Sequence, residues 1–327
     1  MSAAPRVLAI CGGVGGAKLA LGLDRVLPPG DLAILVNTGD DFDHLGLRIC
    51  PDLDTVMYTL AGVVSKSQGW GREDDTRVCL DELAQLGGPT WFQLGDKDLA
   101  VHVERTRRLA AGDTLAAVTA SFARSFALRS RLLPMSNDPV RTLVDTADGV
   151  LEFQEYFVRR RCEPAVRAIR YDGADAARPL PAALELLDCG SLEVIVVCPS
   201  NPWLSIDPIL AMPSLRRALQ RCAAPVVAVS PLVAGRAIKG PTAKLMQELG
   251  LEACAATVAA HYAGLIDGYV LDQQDHALGQ GLGQKLALPS IAVPTVMRSL
   301  EDREALARAT LEFARRLPAV RRLRRVS

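Results

Sequence analysis

Short, unbroken apolar runs of strand length recur along the chain: residues 6–11 (RVLAIC), Leu32–Val36 (LAILV), residues 193–198 (EVIVVC) and residues 225–230 (PVVAVS), with Gly268–Asp272 and residues 291–293 as late, shorter members. Runs without alternation mark strands covered on both faces, as in a parallel sheet. Helical periodicity fills the gaps. Leu19, Leu23 and Val26 follow the first run, two helical segments lie between Thr55 and Leu86 on either side of a loop at residues 69–75, and residues 300–317 form an amphipathic stretch that reads as structure alone. Residues 91–94 (WFQL) read as a further strand. Strand and helix in alternation predict an α/β fold with a Rossmann-like, doubly wound, mostly parallel sheet.

From residue 104 to about residue 187 the rhythm breaks. A helical, arginine-rich segment comes first, then LLPMSND at residues 132–138, then an alternating stretch at residues 151–158 that reads as a strand. The pattern predicts a core built from residues 1–103 and 188–327, with residues 104–187 as an inserted, smaller α+β cap subdomain.

Charge narrows the function classes. Lysine plus arginine balances aspartate plus glutamate, 37 against 37, so no global field points to nucleic acid or a membrane surface. The basic Arg321 to Arg325 run reads as a solvated end. The eight cysteines show no metal-ligand spacing, and several lie in apolar strands, which suits a reducing compartment and a cytoplasmic protein. The apolar runs are too short to span a membrane.

The candidate chemistry concentrates where the strands end. The run Leu32–Val36 exits at Asn37-Thr38-Gly39-Asp40-Asp41; Asp43 follows, and past Gly46 and Pro51 come Asp52 and Asp54, just before a helix expected from Thr55. Ligands of open α/β sheets bind beyond the carboxyl ends of the strands. So many like charges in one loop call for a cation, and hard oxygen donors suit magnesium. The plain structural alternative is a solvated acidic loop with Asp54 capping a helix.

The first strand runs into Gly12, Gly13, Val14, Gly15, Gly16, Ala17 and Lys18, a strand–turn–helix arrangement that offers backbone N–H groups and a helix dipole to an anion. It is no Walker A loop, because Ala17-Lys18-Leu19 stands where Gly-Lys-Ser/Thr is required, and no dinucleotide fingerprint, because Lys18 replaces the third glycine. Two later exits, at Pro199-Ser200-Asn201-Pro202 and Ser230-Pro231, pair a hydroxyl with proline, and residues 235–244 place Lys239 and Lys244 in a Gly/Pro-punctuated loop before a helix. Gly95-Asp96-Lys97-Asp98 forms another acidic exit, with His102 one helical turn after Asp98.

Taken together these segments closely resemble the 2-phospho-L-lactate transferase (CofD) family of deazaflavin coenzyme F-420 biosynthesis. The matching stretches are GGVGGAK from Gly12, NTGDD from Asn37, GLRICPDLDTVMYTLAG from Gly46, GDKDLAVH from Gly95, PMSNDPVRT from Pro134, PSNPWLSIDPIL from Pro199 and AVSPLVAGRAIKGPTAK from Ala228. One departure is Asn137, where many relatives carry an aspartate.

The resemblance implies a magnesium-dependent transferase and, as in relatives, a homodimer. The ribityl hydroxyl of the deazaflavin Fo would attack the phosphorus of a guanosine-diphosphate-activated three-carbon acid, releasing GMP. Phospholactate, phosphoenolpyruvate and phosphoglycerate donors all stay open. Magnesium is expected on some of Asp40, Asp41, Asp52 and Asp54, with Asp40, Asp41 and Asp54 as the metal set and Asp40, Asp41, Asp54 and Asp96 as the catalytic set. Asp98 stands beside Asp96 as a candidate base. Lys18 and Gly12, Gly13, Gly15 and Gly16 would cradle the diphosphate; Lys97 and Asp54 would contact Fo. Ser200, Asn201, Ser205, Ser230, Lys239 and Gly240 fall on the guanosine side. Asn37, Thr38, Asp52, Thr55, His102, Ser136, Asp138 and Pro202 complete the expected ligand-binding set. The rivals are a nucleotide-sugar-binding regulator of the gluconeogenesis-factor type and, ranked lower, a dinucleotide-binding oxidoreductase.

Overall fold

The computed structural model describes residues 4–317; the basic Arg321 to Arg325 run lies outside them. Strand β1 (Val7–Cys11) feeds helix α1 (Gly13–Val26), followed by β2 (Leu32–Val36), a small hairpin of β3 (Phe42–His44) and β4 (Leu47–Ile49), and helix α2 (Pro51–Leu60). Helices α3 (Val78–Gln85), α4 (Asp96–Ala110) and α5 (Leu115–Ser125) lead to β5 (Arg131–Pro134). Then come β6 (Arg141–Thr146), β7 (Gly149–Glu152), β8 (Val166–Asp172) and α6 (Pro181–Asp188). The second half runs through β9 (Val194–Val197), α7 (Asp207–Leu210), α8 (Pro213–Arg221), β10 (Val226–Val229), and a short hairpin of β11 (Leu232–Val233) and β12 (Arg236–Ala237). It closes with α9 (Thr242–Glu248), α10 (Ala255–His261), β13 (Gly268–Asp272), α11 (His276–Leu286), β14 (Ser290–Val293) and α12 (Leu300–Arg316). No helix among the described residues is long and apolar enough to cross a membrane.

Seven strands form one sheet in the order β14-β13-β10-β9-β1-β2-β5, and every pairing is parallel. The expected doubly wound α/β architecture is therefore present. The chain winds outward from β1 to β2 and β5, returns to β9 beside β1, and winds outward the other way. The switch point lies between β1 and β9, where the loops leaving the two strands diverge and open a crevice. Burial explains the apolar runs: Leu8, Ile10, Ile195 and Val197 pack on one face of the sheet, and Val7, Ala9, Val194 and Val196 on the other.

Four local expectations differ from the structure. Helix α2 starts at Pro51 rather than Thr55, because proline fits the first helical turn, where its missing N–H costs nothing; Asp52 and Asp54 thus lie in that turn, near the positive helix end. Residues 91–94 form no strand: Trp91 and Phe92 join Phe42, Ile49 and Leu94 in a small aromatic-rich cluster instead. In residues 151–158 strand pairing ends at Glu152, and Glu155–Arg159 make one wide helical turn. Residues 131–134, expected within the insert, form β5 at the edge of the main sheet. The separate three-stranded sheet β7-β6-β8 is antiparallel.

Candidate active site

A cavity of about 520 Å³ opens at the carboxyl ends of the strands around the switch point. Its floor joins β1 to β9 through one hydroxyl: Ser200 Oγ accepts from Gly12 N at 3.1 Å and donates to Gly12 O at 2.8 Å. The glycines are demanded by close approach. A side chain at Gly12 would collide with the Asp52 carboxylate, at Gly15 with the Pro199 carbonyl and at Gly16 with Ser200, while Gly13 has φ +62°. Gly13 N donates to Asp52 Oδ1 at 2.6 Å.

Two cations border the turn. Lys18 Nζ donates to the Met297 carbonyl at 3.0 Å, and Lys239 Nζ to the Gln68 carbonyl at 2.8 Å. Neither has a carboxylate partner among the described residues. Burial, then the like charges of Arg303 and Lys239, push the Lys18 ammonium below its ordinary pKa. Positive charge with only carbonyl partners, at a glycine turn opening a helix, suits a phosphate group.

The carboxylates lie next to the glycine turn, joined to it through Asp52. Asp40, Asp41, Asp52 and Asp54 are all buried, and their partners differ. Asn37 Nδ2 donates to Asp52 Oδ2 at 3.0 Å and to Asp40 Oδ1 at 3.3 Å; Gln154 Nε2 donates to Asp40 Oδ2 at 3.3 Å. Desolvation, then the neighbouring charges of Asp52 and Asp41, lift Asp40 well above the carboxylate range. Asp52 is lifted to about 6 by desolvation, against hydrogen bonds from Asn37, Gly13 and Ser205. Two buried carboxylates with amide, hydroxyl and backbone partners but no cation are hard oxygen donors suited to a divalent ion such as magnesium. Asp54 is already neutralised: Arg105, itself buried, grips both of its oxygens, with Nη1–Oδ2 at 3.0 Å. Asp54, Asp98 and His102 bring one donor atom each within 4.8 Å of one another, but that space has its cation in the Arg105 guanidinium. Asp41 does not line the cavity. Its carboxyl is lifted to about 7 by desolvation, against a hydrogen bond with Cys50 and the charges of Arg105, Arg141 and Arg48.

Thr55, His102, Asn201, Ser205, Ser230 and Gly240 line the cavity, as do Gly12, Gly13, Gly15, Lys18 and Lys239. Asn37, Gly16 and Pro202 do not line it themselves but adjoin residues that do, Asn37 through Asp40 and Asp52. Asn201 Oδ1 caps the turn at Pro202–Ile206, receiving Trp203 N and Leu204 N at 3.0 Å each, while Asn201 Nδ2 donates to Thr242 Oγ1 at 3.0 Å. Thr38 is buried beside the acidic loop.

Other expected site residues stand outside the cavity. Asp96 caps α3, accepting from Val78 N and Cys79 N at 3.0 Å, and Asp75 returns the favour to α4 through Lys97 N and Asp98 N. Lys97 Nζ is spent on the carbonyls of Asp74 and Glu73, at 2.6 and 3.3 Å. Ser136 and Asp138 tie β5 to the Arg178 segment, and Asn137 Oδ1 accepts from Ala116 N at 2.9 Å. A capping bond of this kind needs only an acceptor oxygen, so asparagine and aspartate serve equally at residue 137.

Sequence reasoning missed Tyr58, Arg105, Gln154 and the aromatic residues Trp70, Phe92, Phe153 and Phe157 that line the cavity. Phe153 and Phe157 stack with centroids 5.3 Å apart. The i, i+4, i+7 spacing of Asp98, His102 and Arg105 was available as a one-face helical signal. Gln154 and Phe153 reach the site from the turn that follows β7, which no local pattern announces.

The fold and site define a Rossmann-like α/β protein with a switch-point cavity lined by a glycine turn with two lysines, by buried carboxylates and by aromatic rings. The family model described as 2-phospho-L-lactate transferase CofD matches residues 7–285, and the chain belongs to that transferase family. It is similar to the phosphoenolpyruvate transferase of Streptomyces griseus, 42% identical over 96% of this chain and 100% of that protein. The phosphoenolpyruvate transferase of Mycolicibacterium smegmatis is 37% identical over 94% of this chain and 98% of its own length, and the 2-phospho-L-lactate transferase of Methanosarcina mazei 35% over 92% and 98%. A crystal structure of a UPF0052-family protein from Bacillus halodurans shares the fold, with a TM-score of 0.62 at 15% identity over 94% of this chain and 99% of that one.

Proposed function

We propose that this protein transfers a phosphoenolpyruvyl group from a guanosine-diphosphate-activated donor to the terminal ribityl hydroxyl of the deazaflavin Fo, releasing GMP. The observation that carries this is that one cavity is lined by the glycine turn and its two lysines, by the buried Asp40 and Asp52, and by the aromatic rings of Phe92, Phe153 and Phe157. A donor diphosphate fits the first, and a tricyclic acceptor ring the last. Among the three acids left open by the sequence, phosphoenolpyruvate is favoured by the greater likeness to the actinobacterial phosphoenolpyruvate transferases than to the Methanosarcina enzyme.

Phosphoryl transfer depends on positioning and charge neutralisation. Magnesium held by Asp40 and Asp52 would offset the phosphate charge there. The chain's own groups do the rest: the glycine turn and Lys18 hold the diphosphate, and Ser200, Asn201, Ser205 and Ser230 line the nucleoside side. Phe153 and Phe157 orient the acceptor ring.

The test is a mass-spectrometric assay with Fo, magnesium and the three activated acids, singly and in competition. A phosphoenolpyruvyl–Fo phosphodiester with stoichiometric GMP is expected. Preference for another acid overturns the donor assignment; absence of Fo binding together with binding of a UDP-sugar overturns the reaction.

A further inference from the structure

The transfer needs a group to take the proton of the attacking hydroxyl, and the partners of the acids around the cavity narrow the choice. Asp54 has both oxygens on Arg105. Asp40 and Asp52 are joined through Asn37, with Gln154 on the first and Gly13 on the second, and are assigned to magnesium in the reading above. Asp41 lies off the cavity, and Asp96 is a helix cap. His102 is excluded by its tautomer. Arg105 Nη1 lies 3.2 Å from His102 Nδ1, and a guanidinium only donates, so Nδ1 accepts and the ring proton sits on Nε2. That Nε2 is buried, has no hydrogen bond of its own, and lies 3.4 Å from Asp98 Oδ1.

Asp98 remains. Tyr58 donates its hydroxyl to Asp98 Oδ1 at 2.6 Å, on the side that His102 also faces. Its Oδ2 receives no hydrogen bond from the described residues, and the residue lines the cavity together with Phe92 and Gln93. We propose that Asp98 is the catalytic base of the transfer, with Tyr58 and His102 as positioning residues and Arg105 setting the His102 tautomer. The assignment rests on the transferase reading above.

In the step, the O–H bond of the ribityl hydroxyl breaks and its proton passes to the Asp98 carboxylate. The oxygen bonds to the phosphorus bearing the acid, and the bond from that phosphorus to the bridging oxygen breaks, its electron pair leaving with GMP. Burial alone would raise Asp98, yet His102, Tyr58 and Arg105 outweigh it and keep the group below the ordinary carboxylate range, so it stands ionised. A loose phosphoryl-transfer transition state asks for a well-placed proton acceptor more than a strong one.

The experiment compares steady-state kinetics of the full chain and variants with Fo, magnesium and the donor that turns over. Asp98→Asn should lower kcat by about 100-fold or more with KM for Fo and donor within about twofold. His102→Gln, which returns an N–H near the Nε2 position, should keep most of the activity, whereas His102→Leu should lose about tenfold or more in kcat. Glu104→Gln, on the exposed face of α4, is the unchanged control, and thermal melts establish that each variant is folded. Asp98→Asn turning over at the wild-type rate overturns the base assignment alone; equal losses in His102→Gln and His102→Leu overturn the positioning role. A wild-type chain inactive with all three donors overturns the transferase reading and this assignment with it.

Discussion

Asp40 and Asp52 stand on different elements yet share one amide nitrogen of Asn37, at 3.3 and 3.0 Å. Neither has a cationic side-chain partner among the described residues. Such a pair is held together at a cost that a divalent cation would remove. Replacing one member with asparagine should therefore act in opposite directions with and without metal. Asp40→Asn should raise the melting temperature of the metal-free protein at pH 8, while raising the magnesium concentration for half-maximal turnover by about tenfold or more. Thermal scans with EDTA and with magnesium read both effects. A lower metal-free melting temperature in Asp40→Asn would show that the pair is not repulsive.

The same groups set a pH dependence. Asp41 and Asp52 are lifted to about 7 and about 6, and Asp40 also upward, all first by desolvation. A carboxyl whose folded-state pKa is raised penalises the fold when ionised, so metal-free stability should rise as pH falls from 8 through 7 and 6 toward the unfolded value near 4. Magnesium needs the ionised form, so its stabilising effect should be larger at pH 8 than at pH 6. Melts across that range, with and without metal, check both slopes. A metal-free chain that loses stability between pH 8 and pH 6 contradicts the desolvation of these groups.

Legibility from sequence followed burial. Strands covered on both faces, such as Leu32–Val36, announce themselves as unbroken apolar runs. β5 did not: it is an edge strand with an exposed Arg131 at its start and Pro134 at its end, and it follows a helical segment that disguises it as part of the insert. The acidic loop and glycine turn were readable because their residue types are costly without a ligand or a partner. What was hidden is which partner each acid has. Asp54 and Asp52 are two residues apart with near-identical burial, but only the fold brings Arg105 to one and Gly13 to the other. In the same way Asp96 and Asp98 look alike in GDKD, and the half-turn of helix between them sends one to the surface and the other into the cavity.

Arg105 offers a direct energetic test. Its guanidinium is buried on both oxygens of Asp54, so its removal strands a charge in the interior. Arg105→Met should destabilise the fold by about 3–5 kcal/mol, the range for breaking a buried pair from one side. Adding Asp54→Asn to that variant should recover part of the loss, since the stranded charge is then gone. Denaturant titration of the two single variants and the double variant gives the coupling. Additive losses would mean that Arg105 matters through packing alone.

On the proposed reading, a change in the glycine turn should separate donor binding from acceptor binding. At Gly15 a methyl group would run into the carbonyl of Pro199, a backbone atom that cannot swing aside, whereas the aromatic end with Phe153 and Phe157 lies on other elements. Forcing the two apart shifts the N–H groups of the turn, and overpacking of this kind costs about 1–3 kcal/mol. Gly15→Ala should therefore remain folded with a lowered melting temperature and weaken binding of GDP, used as the donor mimic, by about tenfold or more, the factor that 1.4 kcal/mol represents. Binding of Fo, followed by its fluorescence, should stay within about twofold, well under 1 kcal/mol. Comparable losses for GDP and Fo would place both ligands on the turn and break the division of the cavity into a phosphate end and a ring end.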